Sequence, residues 1–145
     1  MSDFMEKFAA LRDSKDFAAL IEAIPYARLM GVEIAEDEQG ELLFSLPFHP
    51  RNVGNTALPA LHGGLIGGFL ENAALLHLMW HRESQETPKI VDFSLDYLRS
   101  GRSQTLHARC EITKQGKRVA NMLIEAWQED RSKPVAVARA HFLLS

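Results

Sequence analysis

The chain opens on helical spacing. Phe4, Phe8 and Leu11, then Phe17, Leu20, Ile21 and Ile24, recur at steps of three and four residues with charges between them. This predicts an amphipathic arm from Ser2 to about Ile24, packed on a sheet or on a partner. Asp13-Ser14 is expected to divide the arm into two short helices, and Pro25 to stop it. Gly31 to Ala35 then alternates, Glu36 to Gly40 reads as a turn, and Glu41 to Leu46 reads as a return strand. Pro47 to Pro59, with Pro50, Asn52, Gly54 and Asn55 inside it, reads as a loop.

From Leu61 to about His81 the pattern is helical again, and apolar on nearly every side, which predicts a buried helix. Strict alternation follows. Val91, Phe93, Leu95 and Tyr97 form one apolar set, and Leu106, Ala108, Cys110 and Ile112 another. Lys114 to Lys117 is a turn, and Val119 to Trp127 and Val135 to Leu144 are further strands. Period-two patterning joined by tight turns indicates antiparallel strands with one buried face, not parallel strands with crossover helices. The expected architecture is α+β: a helical arm over residues 1–25, then one long central helix wrapped by an antiparallel sheet of about six strands. The whole of residues 1–145 is expected to be a single domain.

Composition narrows the function. The 145 residues are 46% hydrophobic and 24% charged with a net charge of −3, so no global basic field draws the chain to nucleic acid. No stretch approaches the length needed to span a bilayer. The start of the chain lacks the basic and apolar regions of a signal peptide. Cys110 is the lone cysteine, so an internal disulfide or Cys-based zinc site is excluded and a reducing compartment, the cytoplasm, is expected.

Chemistry concentrates in the central helix. Glycine costs about 1 kcal/mol against alanine inside a helix, yet Gly63, Gly64, Gly67 and Gly68 all lie in its first two turns. The bare amides of Gly63 and Gly64 suit close approach of a ligand to a helix start, where unpaired N–H groups carry positive dipole charge. Gly67 and Gly68 suit close packing against another backbone. His62 either caps this start or contacts the ligand. Glu71 is an acid in an otherwise apolar run, expected to be buried. Desolvation would then raise its pKa toward that of a general base. The bland alternative is an ion pair with Arg51 or Arg82. Gly64 and Glu71 share a face but stand about 10 Å apart along the axis. If both serve one carbonyl, the acid must come from a second subunit, which implies a dimer with sites at its interface.

His62-Gly63-Gly64, followed seven residues after Gly64 by Glu71 on the central helix, resembles the hotdog thioesterases related to the phenylacetyl-CoA (PaaI-like) enzymes. Val91 to Arg99 and the turn Gln115-Gly116-Lys117-Arg118 are similar to that family's corresponding segments. The likeness runs from about Gly31 to the C-terminus. It implies hydrolysis of an acyl-CoA thioester, with no cofactor, by a homodimer or dimer of dimers. The backbone amide of Gly64 would polarise the thioester carbonyl, and Glu71 of the facing subunit would act as base or nucleophile. Many relatives carry Asp at the position of Glu71. Many place Asn six residues before the His, where this chain has Thr56, with Asn55 one residue away. Arg99, Arg102, Lys117 and Arg118 occupy strand ends that in the family contact CoA phosphates, though solvated turn residues would look the same.

Other groups carry less. His77 and His81 have ligand spacing, but no third ligand is evident, so a metal is not expected and a role at the helix C-terminus is preferred. Cys110, Trp80 and Trp127 are assigned to packing, and Asp92 and Asp96 to solvent or a subunit interface. Two other readings stay open. One is an acyl-CoA hydratase or dehydratase of the same fold, for which no suitably spaced His–acid pair is found. The other is a non-catalytic acyl-CoA sensor, in which Glu71 would be tied up in a salt bridge.

Overall fold

The computed structural model describes residues 3–144. Met1, Ser2 and Ser145, which belong to the expected arm and domain span, lie outside the described residues. The arm forms three helices, α1 (Asp3–Ser14), α2 (Phe17–Glu22) and α3 (Pro25–Met30). Asp16 caps α2 by accepting from the Ala19 amide. Pro25, expected to end the helical arm, instead starts α3. Its ring fits the first helical position, and Ile24 before it is extended, as a residue preceding proline prefers. Gly31 closes α3 with φ of 84°, the left-handed conformation that glycine adopts without strain.

The strands β1 (Glu33–Glu36) and β2 (Leu42–Leu46) form the first hairpin. Its turn is held by Asp37, which accepts from the amides of Gln39 and Glu41 and pairs with Arg109. The Glu41 amide first, and then the Arg109 guanidinium, hold the Asp37 carboxyl below its ordinary range. The expected loop is not free of structure. It holds a short 3-10 turn at Pro50–Asn52 and a small hairpin of β3 (Val53–Asn55) and β4 (Ala60–Leu61). The central helix α4 (Gly63–His81) follows, then β5 (Lys89–Tyr97), β6 (Leu106–Gln115), β7 (Val119–Trp127) and β8 (Ala136–Leu143).

Six strands make one antiparallel sheet in the order β1-β2-β6-β7-β8-β5. This is the expected hotdog arrangement. Small residues on the sheet's inner face, Ala108, Ala126, Ala138 and Ala140, leave room for α4 to lie close, with Phe69, Leu70, Ala73 and Leu76 buried in the same core. The arm packs against the central helix as well as the sheet: Phe17 meets Trp80 at 5.0 Å between ring centroids, and Phe8 and Leu20 join the core.

Strands β7 and β8 keep the expected alternation, and β5 keeps it from Asp92 to Asp96 but not at its ends. Ile90 pairs with Phe142 and Asp92 with His141, so Val91 is an extra, bulged residue. The bulge brings Ile90, Phe93 and Leu95 onto one face and leaves Val91 60% exposed, against its expected place in the buried set. Tyr97, expected in that set too, is also exposed. Cys110 is partly buried against the core, and burial of its thiol raises its pKa above the ordinary range. No described helix is long and apolar enough to cross a membrane.

Candidate active site

The small hairpin positions His62. The His62 amide donates to the Asn52 carbonyl at 2.9 Å, and the neighbouring Leu61 amide donates to Gly101 at 2.8 Å. Strand β3 passes so near that a Cβ on Gly54 would stand 2.7 Å from His62 Cα. Only glycine allows that approach. His62 is extended and caps α4: its Nδ1 accepts from the Gly64 amide at 3.0 Å and from Leu65 at 3.4 Å. The ring can fold back over the first turn because Gly64 has no Cβ; one there would lie 2.9 Å from its Cε1. The Gly64 N–H is therefore engaged by the cap, whereas the Gly63 N–H has no hydrogen-bond partner among the described residues.

Gly63 is also tied to the sheet. The Tyr97 hydroxyl donates to the Gly63 carbonyl at 2.6 Å. Tyr97 ends β5, and β5 is an edge strand that among the described residues pairs with β8 alone. The helix start thus sits beside an unpaired sheet edge. Gly67 and Gly68, expected to pack against another backbone, instead admit the side chains of Leu95 and Tyr26.

Glu71 lies two turns along α4 on the stripe shared with Gly64 and Gly68. Its expected burial is not found: the side chain is exposed, because this stripe faces away from the sheet and nothing among the described residues covers Glu71. The alternative ion pairs are absent too. Among the described residues the Glu71 side chain has no salt bridge or hydrogen bond, and Arg82 donates instead to Ser84.

The remaining candidates separate. Asn55 does not face His62; its Oδ1 accepts from the Ala57 and Leu58 amides and holds a turn. The asparagine at the site is Asn52, buried, with its carbonyl on His62 and its Nδ2 without a partner. Arg99 and Arg102 line a polar groove of about 450 Å³ of mixed charge, with Gln128, Glu129, Asp130 and Lys133. Gly101, between them, holds Leu61, so this groove adjoins the helix start. Arg99 donates to the Pro134 carbonyl, and the Arg102 backbone is paired with Gln128. Lys117 and Arg118 lie at the opposite end of the ten-residue β6, about 30 Å away. One chain therefore does not gather the four cations around a single ligand.

Asn52 and Tyr97 were missed as site residues. Asn52 looked like loop chemistry, and Tyr97 looked like one more apolar residue in an alternating strand. Its bond to Gly63 spans 34 positions, a separation that leaves no local signal. His77, in the last turns of α4, is 4% exposed, and burial, then the His81 charge, lowers its pKa from 6.5 to about 4.

A helix capped at a glycine-rich start and wrapped by one antiparallel sheet defines a hotdog protein, here with a bare N–H and an acid without a side-chain partner among the described residues along that helix. The sequence profile of the thioesterase superfamily matches residues 58–135, over half of the chain. The medium/long-chain acyl-CoA thioesterase YigI of Salmonella typhimurium is 30% identical over 121 residues, covering 74% of this chain and 78% of that protein. A crystallised protein of Chromobacterium violaceum is 69% identical, with a TM-score of 0.83 over 97% of each chain. A Bacillus halodurans protein crystallised with CoA shares the fold at 19% identity, with a TM-score of 0.76 over 100% of this chain and 95% of that one. The chain belongs to the thioesterase superfamily.

Proposed function

We propose that the protein hydrolyses medium- or long-chain acyl-CoA thioesters in the cytoplasm, at sites built by two subunits paired along β5. The observation that carries this reading is the pair formed by an unpartnered Glu71 and the Gly63 N–H, both on α4 and about 12 Å apart along its axis. One chain cannot close that gap around a carbonyl. The start of α4 is fastened by Tyr97 to the open edge of the sheet, so a second copy arriving at that edge comes to rest beside Gly63. Exposed Val91, Tyr97 and Leu98 give the edge an apolar surface, and an unpaired edge strand is a template for pairing.

In this reading the thioester oxygen binds the amides at the start of α4, taking the free Gly63 N–H and replacing His62 Nδ1 on Gly64. Each such donor is worth about 2.7–4 kcal/mol to a developing oxyanion. Glu71 of the facing subunit deprotonates the attacking water and passes that proton to the departing CoA sulfur. Alternatively, it attacks the carbonyl to form a mixed anhydride that water then hydrolyses, the water's proton going to the CoA thiolate. CoA leaves as the thiol, with Arg99 and Arg102 beside its phosphates. The acyl chain has room in an apolar groove of about 360 Å³ between the arm and α4, lined by Phe4, Ile24, Leu75, Leu76 and Met79. The groove reaches Asn72, next to Glu71, and the chain length named for the YigI relative suits it.

The test is thiol release from short, medium, long and aromatic acyl-CoAs by wild type and Glu71→Ala. Turnover of the longer acyl chains, abolished in a folded Glu71→Ala, is expected. Binding of acyl-CoA without hydrolysis by wild type would replace this reading with a sensing role.

A further inference from the structure

At the far end of α4 from Gly63, three metal-binding side chains converge from two separate parts of the chain. His77 and His81, one turn apart, place their ring centroids 4.4 Å from each other. Glu41, just ahead of β2, brings its carboxylate to them, so that one ligand atom from each of Glu41, His77 and His81 lies within 4.8 Å of the other two. A second observation points the same way. His77 is 96% withdrawn from solvent, its Nδ1 is enclosed, and neither of its ring nitrogens has a hydrogen-bond partner among the described residues. Buried polar groups without partners are rare in folded proteins, and a neutral imidazole with its lone pair unused is a metal donor.

We infer that Glu41, His77 and His81 bind a divalent transition-metal ion of the zinc class. The donor set decides the class. Two imidazole nitrogens with one carboxylate oxygen suit Zn²⁺ and its neighbours, whereas Ca²⁺ and Mg²⁺ take mostly oxygen ligands. Bonds of about 2.0–2.1 Å in a tetrahedron put ligand atoms about 3.3 Å apart. Glu41 and His81 must therefore close in, and both are exposed and free to do so. A fourth position is left to water. The competing role, two histidines at the negative end of a helix, would leave the enclosed Nδ1 of His77 without a partner.

The ion would stand about 9–15 Å along α4 from Glu71, outside any thioester site. It would fasten the C-terminal end of the central helix to the β1–β2 hairpin, whether or not the protein is a thioesterase. Its effect is thus on stability, and stability rises with free metal when only the folded state binds it.

The probe is Zn²⁺ titrated calorimetrically into the full-length, chelator-stripped protein, with thermal unfolding followed alongside. About one Zn²⁺ per chain and a higher unfolding midpoint are expected, and Co²⁺ in its place should give the visible absorption of a tetrahedral site. His81→Ala and Glu41→Gln, both at exposed positions that the fold tolerates, should each weaken binding about tenfold or more and remove the thermal shift. His49→Ala, a surface histidine elsewhere, should leave both unchanged. Absence of saturable binding, or binding that His81→Ala and Glu41→Gln leave intact, overturns the inference.

Discussion

His62→Ala separates capping from catalysis at the proposed site. In the folded chain His62 Nδ1 accepts two amides, but the 3.4 Å bond to Leu65 is weak beside the 3.0 Å bond to Gly64. Loss of a side-chain cap costs about 0.5–2 kcal/mol, and the exposed position lets water take over part of the bond, so about 1 kcal/mol is expected. For a chain of this length that lowers the unfolding midpoint by roughly 3 °C. Because the substitution also frees the Gly64 N–H for the thioester oxygen, kcat should stay within about threefold of wild type. A general base would behave otherwise, since such groups contribute about 10²–10⁴ to the rate. Calorimetric melting and steady-state thiol release on the same preparations give both numbers. A fall in kcat of two orders of magnitude with an unchanged midpoint would refute the capping argument and make His62 a reacting group.

Sites shared between subunits should complement. Gly63→Pro removes the free N–H at a helix position whose backbone accepts proline, after a residue already extended, although its Cβ would stand 3.3 Å from the Tyr97 ring, which must give slightly, and Glu71→Ala removes the acid. Each should be inactive alone, and co-refolded mixtures should recover about a quarter of wild-type activity if subunits pair at random. No recovery would place both groups of a site in one chain. Gly54→Ala pushes a Cβ to 2.7 Å from the His62 backbone and should cost about 1–3 kcal/mol in urea unfolding, with kcat/KM reduced in the fraction that folds. An unchanged midpoint would mean that β3 yields at no cost. His77 is neutral in the fold and gains a proton on unfolding below its ordinary pKa of 6.5. Stability should therefore be full above that pH and fall as pH drops toward about 4, by about 3 kcal/mol in all. Urea midpoints measured in chelator should show this slope in wild type and lose it in His77→Leu.

Much of the architecture is written in local periodicity. The apolar run of α4 and the alternation of β6, β7 and β8 need only neighbours three or two residues apart, and those elements fall where the pattern puts them. The same holds for the grouping of His62, Gly63 and Gly64 at a helix start, and for Glu71 on the Gly64 stripe two turns on, because helix geometry follows from sequence spacing alone. Short or interrupted elements escape such a reading. The β3–β4 hairpin is too brief to show a period, and the bulge at Val91 turns the start of β5, so that Ile90 and not Val91 packs on the core. Pro25 can end one helix or begin the next, and local sequence does not choose between them.

What remained was decided by contacts between distant parts of the chain. An acid in an apolar helix was expected to be buried, yet the sheet covers only one side of α4, so Glu71 is left on the open one. Arg99 and Arg102 adjoin the helix start while Lys117 and Arg118 do not, because β6 runs its full length between them. The Tyr97 bond to Gly63 and the approach of Glu41 to His77 and His81 join residues over 30 positions apart. Local sequence was enough to say which elements form and which side chains share a helix face, since those are short-range matters of φ, ψ and period. The tertiary structure decided exposure, pairing partners and the third member of each cluster, since these depend on which surfaces the closed sheet brings together and which it leaves open.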